Sequence, residues 1–354
     1  MARGYNYGNA RLRARKGRLL DRDALLALLQ SGDLSGLCRA LADTVYREAV
    51  ESALLQASGL PCLRHALEQH LVARSAEIRS FYRGEPGRLV DLLFTRYDVD
   101  NVRAVLRGLA AQRPPAEIRD STIPIGDLRP SDLQALARLS NPLEAVDLLA
   151  TWQLPLARPL LAQRAATSSV PALELALERW YVARRREAAP DNRSWQEATS
   201  FAVDAANVLT ALRLAGRPQA LALLREQLAA SGEAHEHLFL EGGRLSTSRL
   251  LEASGASTVA AAVTSLAVAP YEALLAEGLE VYERSDRISA FERAFRREHL
   301  RRASALFMRD PLGIGVVIGY LALKTNEVTN LRTIGHWLYL EERPEEIQKE
   351  MVLV

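Results

Sequence analysis

An acidic residue, two intervening residues, an asparagine and an aliphatic residue occur in this order three times in the chain. We call each copy an acid–amide motif; in chain order the three are Asp98/Asn101, Asp204/Asn207 and Glu327/Asn330. A carboxylate beside an amide could serve an enzyme site or could satisfy backbone polar groups where helices meet. A catalytic site is normally single, so three copies favour the structural role. Direct contact with a partner remains the alternative.

Helices must position these motifs, because residues three apart lie on one helix face, one turn from each other. Asparagine is a poor helix former, since its side chain competes for backbone hydrogen bonds. Its recurrence therefore indicates a repeated hydrogen-bonding role. Arg103 and Arg332 follow the first and third motifs and could pair with their acids. Leu209 stands at the equivalent place after the second motif.

Further anchors recur in the same order, at spacings close to a third of the 354-residue chain. They comprise a Gly-x-Leu start, an aromatic residue and a glutamate. The three sets are Gly17, Tyr46 and Glu68; Gly126, Trp152 and Glu178; and Gly243, Tyr271 and Glu292. Recurrence on this scale indicates internal repeats. We predict three helical domains, at residues 1–116, 117–233 and 234–354.

Apolar residues recur at helical spacing throughout, and no segment alternates as a strand would. The predicted fold class is all-α. Gly84-Glu85-Pro86-Gly87 reads as a turn that precedes the helix of the first motif. The stretch 311–320 contains three glycines among valine and isoleucine, which predicts close helix contact or an interface.

Composition is that of a soluble globular protein, with 48% apolar and 25% charged residues. The net charge of +2 argues against a nucleic-acid partner. The two cysteines, Cys38 and Cys62, provide neither a disulfide framework nor a zinc site, which favours a reduced, cytoplasmic setting. The longest apolar runs fall short of the roughly 20 residues that cross a bilayer, so no membrane span is expected.

Motifs of common enzyme chemistry are missing from the sequence. No phosphate-binding Gly-x-x-x-x-Gly-Lys loop occurs, and no Gly-x-Gly-x-x-Gly lies between a strand and a helix. His235 and His237 have no third metal ligand in view. The sequence therefore predicts a protein without catalytic activity, metal or cofactor.

Four segments resemble the C subunit of prokaryotic V/A-type ATPases, whose eukaryotic counterpart is the d subunit. The resemblance preserves the order of the segments over nearly the whole chain. The segments are Tyr5-x-Tyr7-x-Asn9-Ala10-Arg11, Tyr97-Asp98-x-x-Asn101-Val102-Arg103, Leu240-x-Gly242-Gly243-x-Leu245 and Glu327-Val328-Thr329-Asn330-Leu331-Arg332-Thr333-Ile334-Gly335. Tyr5 and Tyr7 thereby join the acid–amide motifs, Arg103 and Arg332 as structural or interface candidates.

The resemblance implies a non-catalytic rotor subunit made of three similar helical domains in a pseudo-threefold, funnel-like arrangement. One copy per complex would lie peripherally on the cytoplasmic side of the membrane proteolipid ring and receive the D and F subunits of the central stalk. It would transmit torque for ATP-linked proton or sodium transport. The alternative is a helical-repeat adaptor without any ATPase, although solenoid repeats of about 20–45 residues are much shorter than the unit here.

Overall fold

A computed structural model describes residues 4–166, 169–230 and 234–353 of the protein. Within these ranges the regular structure is α-helical apart from one short 3-10 helix, and no strand occurs. The all-α fold class predicted from the sequence is confirmed. No helix in the described ranges is both long enough and apolar enough to cross a membrane.

The chain divides into two compact units. Unit 1 combines Met1–Asp91 with Leu300–Val354, and unit 2 is Leu92–His299. The predicted boundary at 116/117 falls inside a short helix, Pro115–Asp120. The predicted boundary at 233/234 adjoins residues 231–233, which lie outside the described residues. The division into three repeats stays a prediction.

Unit 1 brings the first helices of the chain together with the last ones. Its helices are α1 (Asn6–Lys16), α2 (Arg22–Leu29), α3 (Leu34–Ala42), α4 (Arg47–Leu54), α5 (Gly59–Phe81), the start of α6 (Gly84–Ala110), the end of α17 (Ser289–Arg309), α18 (Gly315–Tyr339) and α19 (Pro344–Glu350). Helices α5 and α18 approach closely at Gly335, where a Cβ atom would overlap the side chain of Leu63. The third acid–amide motif lies on α18.

Unit 2 carries the first two acid–amide motifs, on α6 and α12. Its remaining elements are α7 (Pro115–Asp120), α8 (Pro130–Ala137), α9 (Pro142–Thr151), α10 (Ala157–Ala166), α11 (Val170–Ala188), α12 (Arg193–Leu214), α13 (Pro218–Ala230), the 3-10 helix (His235–Leu238), α14 (Thr247–Ser254), α15 (Val259–Leu266), α16 (Glu272–Ser285) and the start of α17. Phe201, Tyr271 and Phe295 pack in its core with ring centroids 6.1–6.3 Å apart.

The turn predicted at residues 84–87 is wrong, because α6 already begins at Gly84. Gly84 enters the helix with φ +65°, a conformation that glycine adopts without strain. Pro86 lies in the first helical turn, where its missing N–H would have no intrahelical acceptor. The residues that read as a turn therefore start the helix that carries the first motif.

Candidate functional site

Each asparagine of the three acid–amide motifs holds one distant residue by its backbone. Its side-chain amide donates to the carbonyl of that residue and accepts from the N–H of the same residue. The pairs are Asn101 with Ile123, Asn207 with Leu240 and Asn330 with Val352. The six hydrogen bonds measure 2.7–3.1 Å, and all three asparagines are buried. One side chain thus satisfies both backbone groups of a non-helical residue, as a strand neighbour would.

The two aspartates of the motifs bind consecutive backbone N–H groups just after a glycine. Asp98 accepts from Asp127 at 2.7 Å and from Leu128 at 3.0 Å. Asp204 accepts from the N–H groups of Arg244 and Leu245 at 2.9 and 3.1 Å. Buried carboxylates are costly unless they are hydrogen-bonded, and these two are fully engaged.

The glycines before these N–H groups have a steric reason to be glycine. A Cβ atom at Gly126 would overlap the carboxylate of Asp98, and one at Gly243 would overlap that of Asp204. The Gly-x-Leu starts that recur in the sequence are therefore the segments that the first and second motifs bind. The similar spacing of motifs and glycines in the sequence indicated that the two are related. It did not show which acid contacts which glycine.

The third motif differs, because its acid is a glutamate. Glu327 accepts from the backbone N–H of Leu20 at 2.6 Å and from the hydroxyl of Tyr46 at 2.5 Å. It also pairs with Lys324, whose Nζ lies 2.5 Å away and donates to Tyr46 at 3.0 Å. In the second motif Tyr271 donates to Asp204 at 2.5 Å, so two of the three recurrent aromatics bind a motif acid.

Burial is the largest influence on the pKa values of the two side chains that contact Glu327, Lys324 and Tyr46. It lowers the pKa of Lys324 below its usual value, and the adjacent carboxylate of Glu327 opposes that change. Burial and the same carboxylate raise the pKa of Tyr46 well above its ordinary value. The tyrosine therefore stays a hydrogen-bond donor to the glutamate.

Arg103 does not make the contact that the sequence suggested. Its guanidinium donates to Glu178 of α11 rather than to the acid of its own motif. Arg96 binds the same carboxylate through two hydrogen bonds of 2.7 and 3.0 Å, and Arg107 binds Glu174 through two of 2.5 Å. Burial alone would raise the pKa of Glu178, but Arg96 and Arg103 together lower it. These arginines fasten α6 to α11, whereas Arg332 is a half-buried residue of α18.

Tyr5 and Tyr7 lie at the start of α1, with different surroundings. Tyr5 directly precedes the helix, and burial raises its pKa to about 12, helped by Glu85 and Asp310. Tyr7 is half exposed and carries the guanidinium of Arg11 against its ring, 4.6 Å from the centroid. Tyr7 is thus the candidate of this pair that is accessible to another protein.

Two functional side chains were missed as candidates from the sequence. Asn9 is buried and donates to the carbonyls of Pro311 and Gly313 at 3.2 and 2.9 Å, which fixes α1 to the segment before α18. Lys324 is the buried partner of Glu327. Its signal was present, since lysine is rare in this arginine-rich chain and this one precedes the motif by one helical turn.

The described residues contain no group of three metal-ligating side chains. The three motifs instead hold together chain segments that are far apart in sequence. The family described as the ATP synthase (C/AC39) subunit matches residues 8–350. The chain belongs to this family.

Relatives in the ATP synthase (C/AC39) subunit family are similar to the chain over almost its whole length. The C subunit of the A-type ATP synthase of Methanocaldococcus jannaschii is 26% identical, over 98% of this chain and 86% of the relative. The C subunit of the V-type ATP synthase of Deinococcus radiodurans is 28% identical over 98% and 91%. That of Thermus thermophilus is 28% identical over 99% of both chains. The resemblance found in the sequence is confirmed.

Asn330 allows a direct test of the role of the asparagines. We expect Asn330→Ala to release the C-terminal segment, because the N–H and carbonyl of Val352 lose their shared partner. The carbonyl keeps Asn326 as a donor, so the variant leaves one buried N–H unsatisfied, which should cost about 1–3 kcal/mol of stability. Hydrogen exchange at residues 351–353 measures the release.

Asn326→Ala is the matched control, because Asn326 donates one hydrogen bond of 2.8 Å to the same carbonyl and accepts nothing from the Val352 N–H. We expect it to leave that N–H protected. Equal protection of the Val352 N–H in the wild type and Asn330→Ala would contradict the assigned role.

Proposed function

We propose that this chain is the non-catalytic central-stalk subunit of a rotary V/A-type ATPase. One copy per complex is the socket between the shaft, made of the D and F subunits, and the membrane proteolipid ring. It transmits torque between ATP chemistry and proton or sodium transport. The family match over residues 8–350 carries the proposal. The relatives named as C subunits of A-type and V-type ATP synthases support it.

The hydrogen bonds of the motifs support this mechanical role. A torque-transmitting subunit must resist internal deformation, so its segments need fixed geometry. Each asparagine fixes a segment 22 or 33 residues away by both backbone groups. Fully satisfied buried polar groups specify one arrangement, because any slippage leaves donors and acceptors without partners.

The same bonds support three repeated domains in a funnel-like arrangement. The motifs at Asp98, Asp204 and Glu327 recur at similar spacing and bind their segments with the same asparagine geometry. The first two also bind the glycine start of the next predicted repeat. We therefore retain residues 1–116, 117–233 and 234–354 as the proposed domains.

The chain would act peripherally on the cytoplasmic side, held there by the complex. The start of α18 is a candidate contact with the proteolipid ring. Met308 and Leu312 flank the turn before this helix and are 63% and 70% exposed. Exposed apolar side chains of this size are common at protein interfaces.

Affinity purification from detergent-solubilised membranes tests the assembly. We expect the tagged chain to recover nucleotide-binding subunits, the D and F subunits and the proteolipid, with one copy by native mass spectrometry. Deleting the chain should abolish ATP-driven ion uptake into membrane vesicles, because shaft and ring lose their connection. Restoring the wild-type chain should recover the uptake.

The adaptor alternative predicts a different outcome. Recovery of the chain without the proteolipid, together with normal ATP-driven ion uptake in the deletion strain, would overturn the proposed function.

A further inference from the structure

Unit 1 contains a cavity of about 530 Å³ beside the third acid–amide motif. Its wall is formed by α1, the segment after α1, the start of α4, the middle of α5 and the face of α18 that carries Lys324. The volume lies within the range of small-molecule sites, about 300–1,000 Å³. A space of this size, with a largely polar lining, can accept a ligand without a rearrangement of the fold.

Positive charge predominates on the wall of this cavity. Five of its lining side chains are cationic, and Glu48 is the carboxylate among the described lining residues. The cations are Arg15, Arg18, Arg47, Arg74 and Lys324. Guanidinium groups present several N–H donors in a plane and bind phosphate or carboxylate through paired hydrogen bonds. The lining is therefore that of an anion site.

The positive charge is only partly compensated. Lys324 is paired with Glu327, and Arg15 and Arg74 share the single carboxylate of Glu77. Arg74 still has a buried Nε that finds no hydrogen-bond acceptor among the described residues. The Nε atom itself has no exposed surface, so an anion in the cavity would contact the more exposed remainder of the Arg74 side chain.

Arg18 and Arg47 are free to reach such an anion. Arg18 makes no ion pair within the described part of the chain, and Arg47 is 3.7 Å from Asp43, with both side chains largely exposed. Exposed ion pairs of this kind contribute little and exchange readily for a better partner. Burial, with Lys324 and Arg74 nearby, lowers the pKa of His70 to about 3, in keeping with a positive environment.

The remaining lining provides contacts for an uncharged part of a ligand. Leu19, Val45, Ala49 and Ala73 give apolar surface, and Tyr320 presents a buried aromatic side chain. A free phosphate would fill only a small part of about 530 Å³. The combination of a cationic wall and apolar surface fits an organic phosphate better than an inorganic one.

We propose that this cavity is a binding site for a small organic phosphate, whose phosphate group is held by the guanidinium groups of Arg18, Arg47 and Arg74. The bound ligand joins the segment after α1 to α4 and α5, next to the contact of Glu327 with Leu20. It therefore stabilises unit 1 when it is bound. This inference goes beyond the proposed mechanical function and does not depend on it.

Calorimetric titration of the full chain with adenosine monophosphate, at low ionic strength, tests the site. We expect binding that weakens with added salt, since the contact is between charges. Arg18→Gln should weaken it about tenfold, the value of one charge-assisted hydrogen bond. Arg22→Gln is the matched control, because it removes the same charge from an exposed position of α2 outside the cavity and should leave affinity unchanged.

Two further ligands test the contact with the phosphate group and the contact with the apolar lining separately. Adenosine should not bind, because it lacks the phosphate group. Inorganic phosphate should bind at least threefold more weakly than the monophosphate, since it makes no contact with the apolar lining. Equal binding of the two anions, or equal loss of affinity in Arg18→Gln and Arg22→Gln, would overturn the assignment.

Discussion

Replacing Asp204 by alanine should lower the free energy of unfolding by about 4 kcal/mol, because the change leaves two partly buried N–H groups and one buried hydroxyl without an acceptor. The carboxylate is completely buried and accepts from the N–H groups of Arg244 and Leu245 and from the hydroxyl of Tyr271. Each unsatisfied donor costs about 1–3 kcal/mol, less whatever an entering water recovers. Urea unfolding followed by far-UV circular dichroism measures the loss.

Two variants make this test specific to the hydrogen bonds. Asp191→Ala removes an exposed aspartate of unit 2 and should change stability by less than about 0.5 kcal/mol. Asp204→Asn keeps one acceptor oxygen and nearly the same volume, so its loss should fall between those of the two alanine variants. A loss below about 1 kcal/mol in Asp204→Ala would contradict the view that the second motif fixes its segment.

The position of the motifs on helices could be predicted from the sequence, whereas their partners could not. The three-residue spacing of Asp204 and Asn207 places both on one helix face, and both lie on α12. Leu240, the partner of Asn207, is 33 residues away from it, beyond a helix and a 3-10 helix. Local pattern fixes which side chains share a face, but contacts at this distance depend on the packing of the intervening elements.

Arg103 illustrates why nearness in sequence misleads about charge pairing. It follows the first motif directly, yet Glu178 of α11 takes its guanidinium. Asp98 has no need of an arginine, because two backbone N–H groups already stabilise its carboxylate. Backbone donors are invisible in a sequence, so a buried acid is easily assigned to the nearest cation.

Glycines in the sequence indicated a real structural constraint at Gly126 and Gly243 but led to a wrong turn prediction at Gly84. Gly126 and Gly243 mark the closest approach of the backbone to a motif carboxylate, so their recurrence reflected a real constraint. Gly84 reads as part of a turn because glycine and proline stand together, although the same pair also starts helices. A turn and a helix start differ in the backbone dihedral angles of these residues, which the sequence does not specify.

Glu327→Gln should lower stability by about 3 kcal/mol, because it leaves the buried ammonium of Lys324 without its carboxylate. The single oxygen of glutamine can accept from Leu20 or from Tyr46 but not from both, because these two donors bind different oxygens of Glu327, so the loss combines the missing charge with one missing hydrogen bond. Lys324→Met in the same chain removes the isolated charge, and the double variant should recover at least half of the loss. A double variant as unstable as Glu327→Gln would contradict the charge argument.

The pH dependence of these variants gives a second, independent reading of the buried ammonium. Burial lowers the pKa of Lys324 below its usual value of 10.5 in the folded protein, and Glu327 opposes this. The unfolded chain therefore binds the proton of Lys324 more tightly than the folded protein does. The contribution of neutral Lys324 to stability is complete above pH 10.5 and is lost as the pH falls through the folded-state pKa. Without the opposing carboxylate the pKa of Lys324 falls further, so the pH range over which stability changes extends to lower pH.

We therefore expect the free energy of unfolding of Glu327→Gln to rise with pH, below 10.5, more steeply than that of the wild type. Adding Lys324→Met should remove this extra slope, because the titrating group itself is gone. Urea unfolding at several pH values, with all variants in the same buffers, measures both slopes. Equal slopes in Glu327→Gln and in the double variant would mean that the ammonium of Lys324 escapes to water, and the third motif would then owe its stability to its backbone contacts alone.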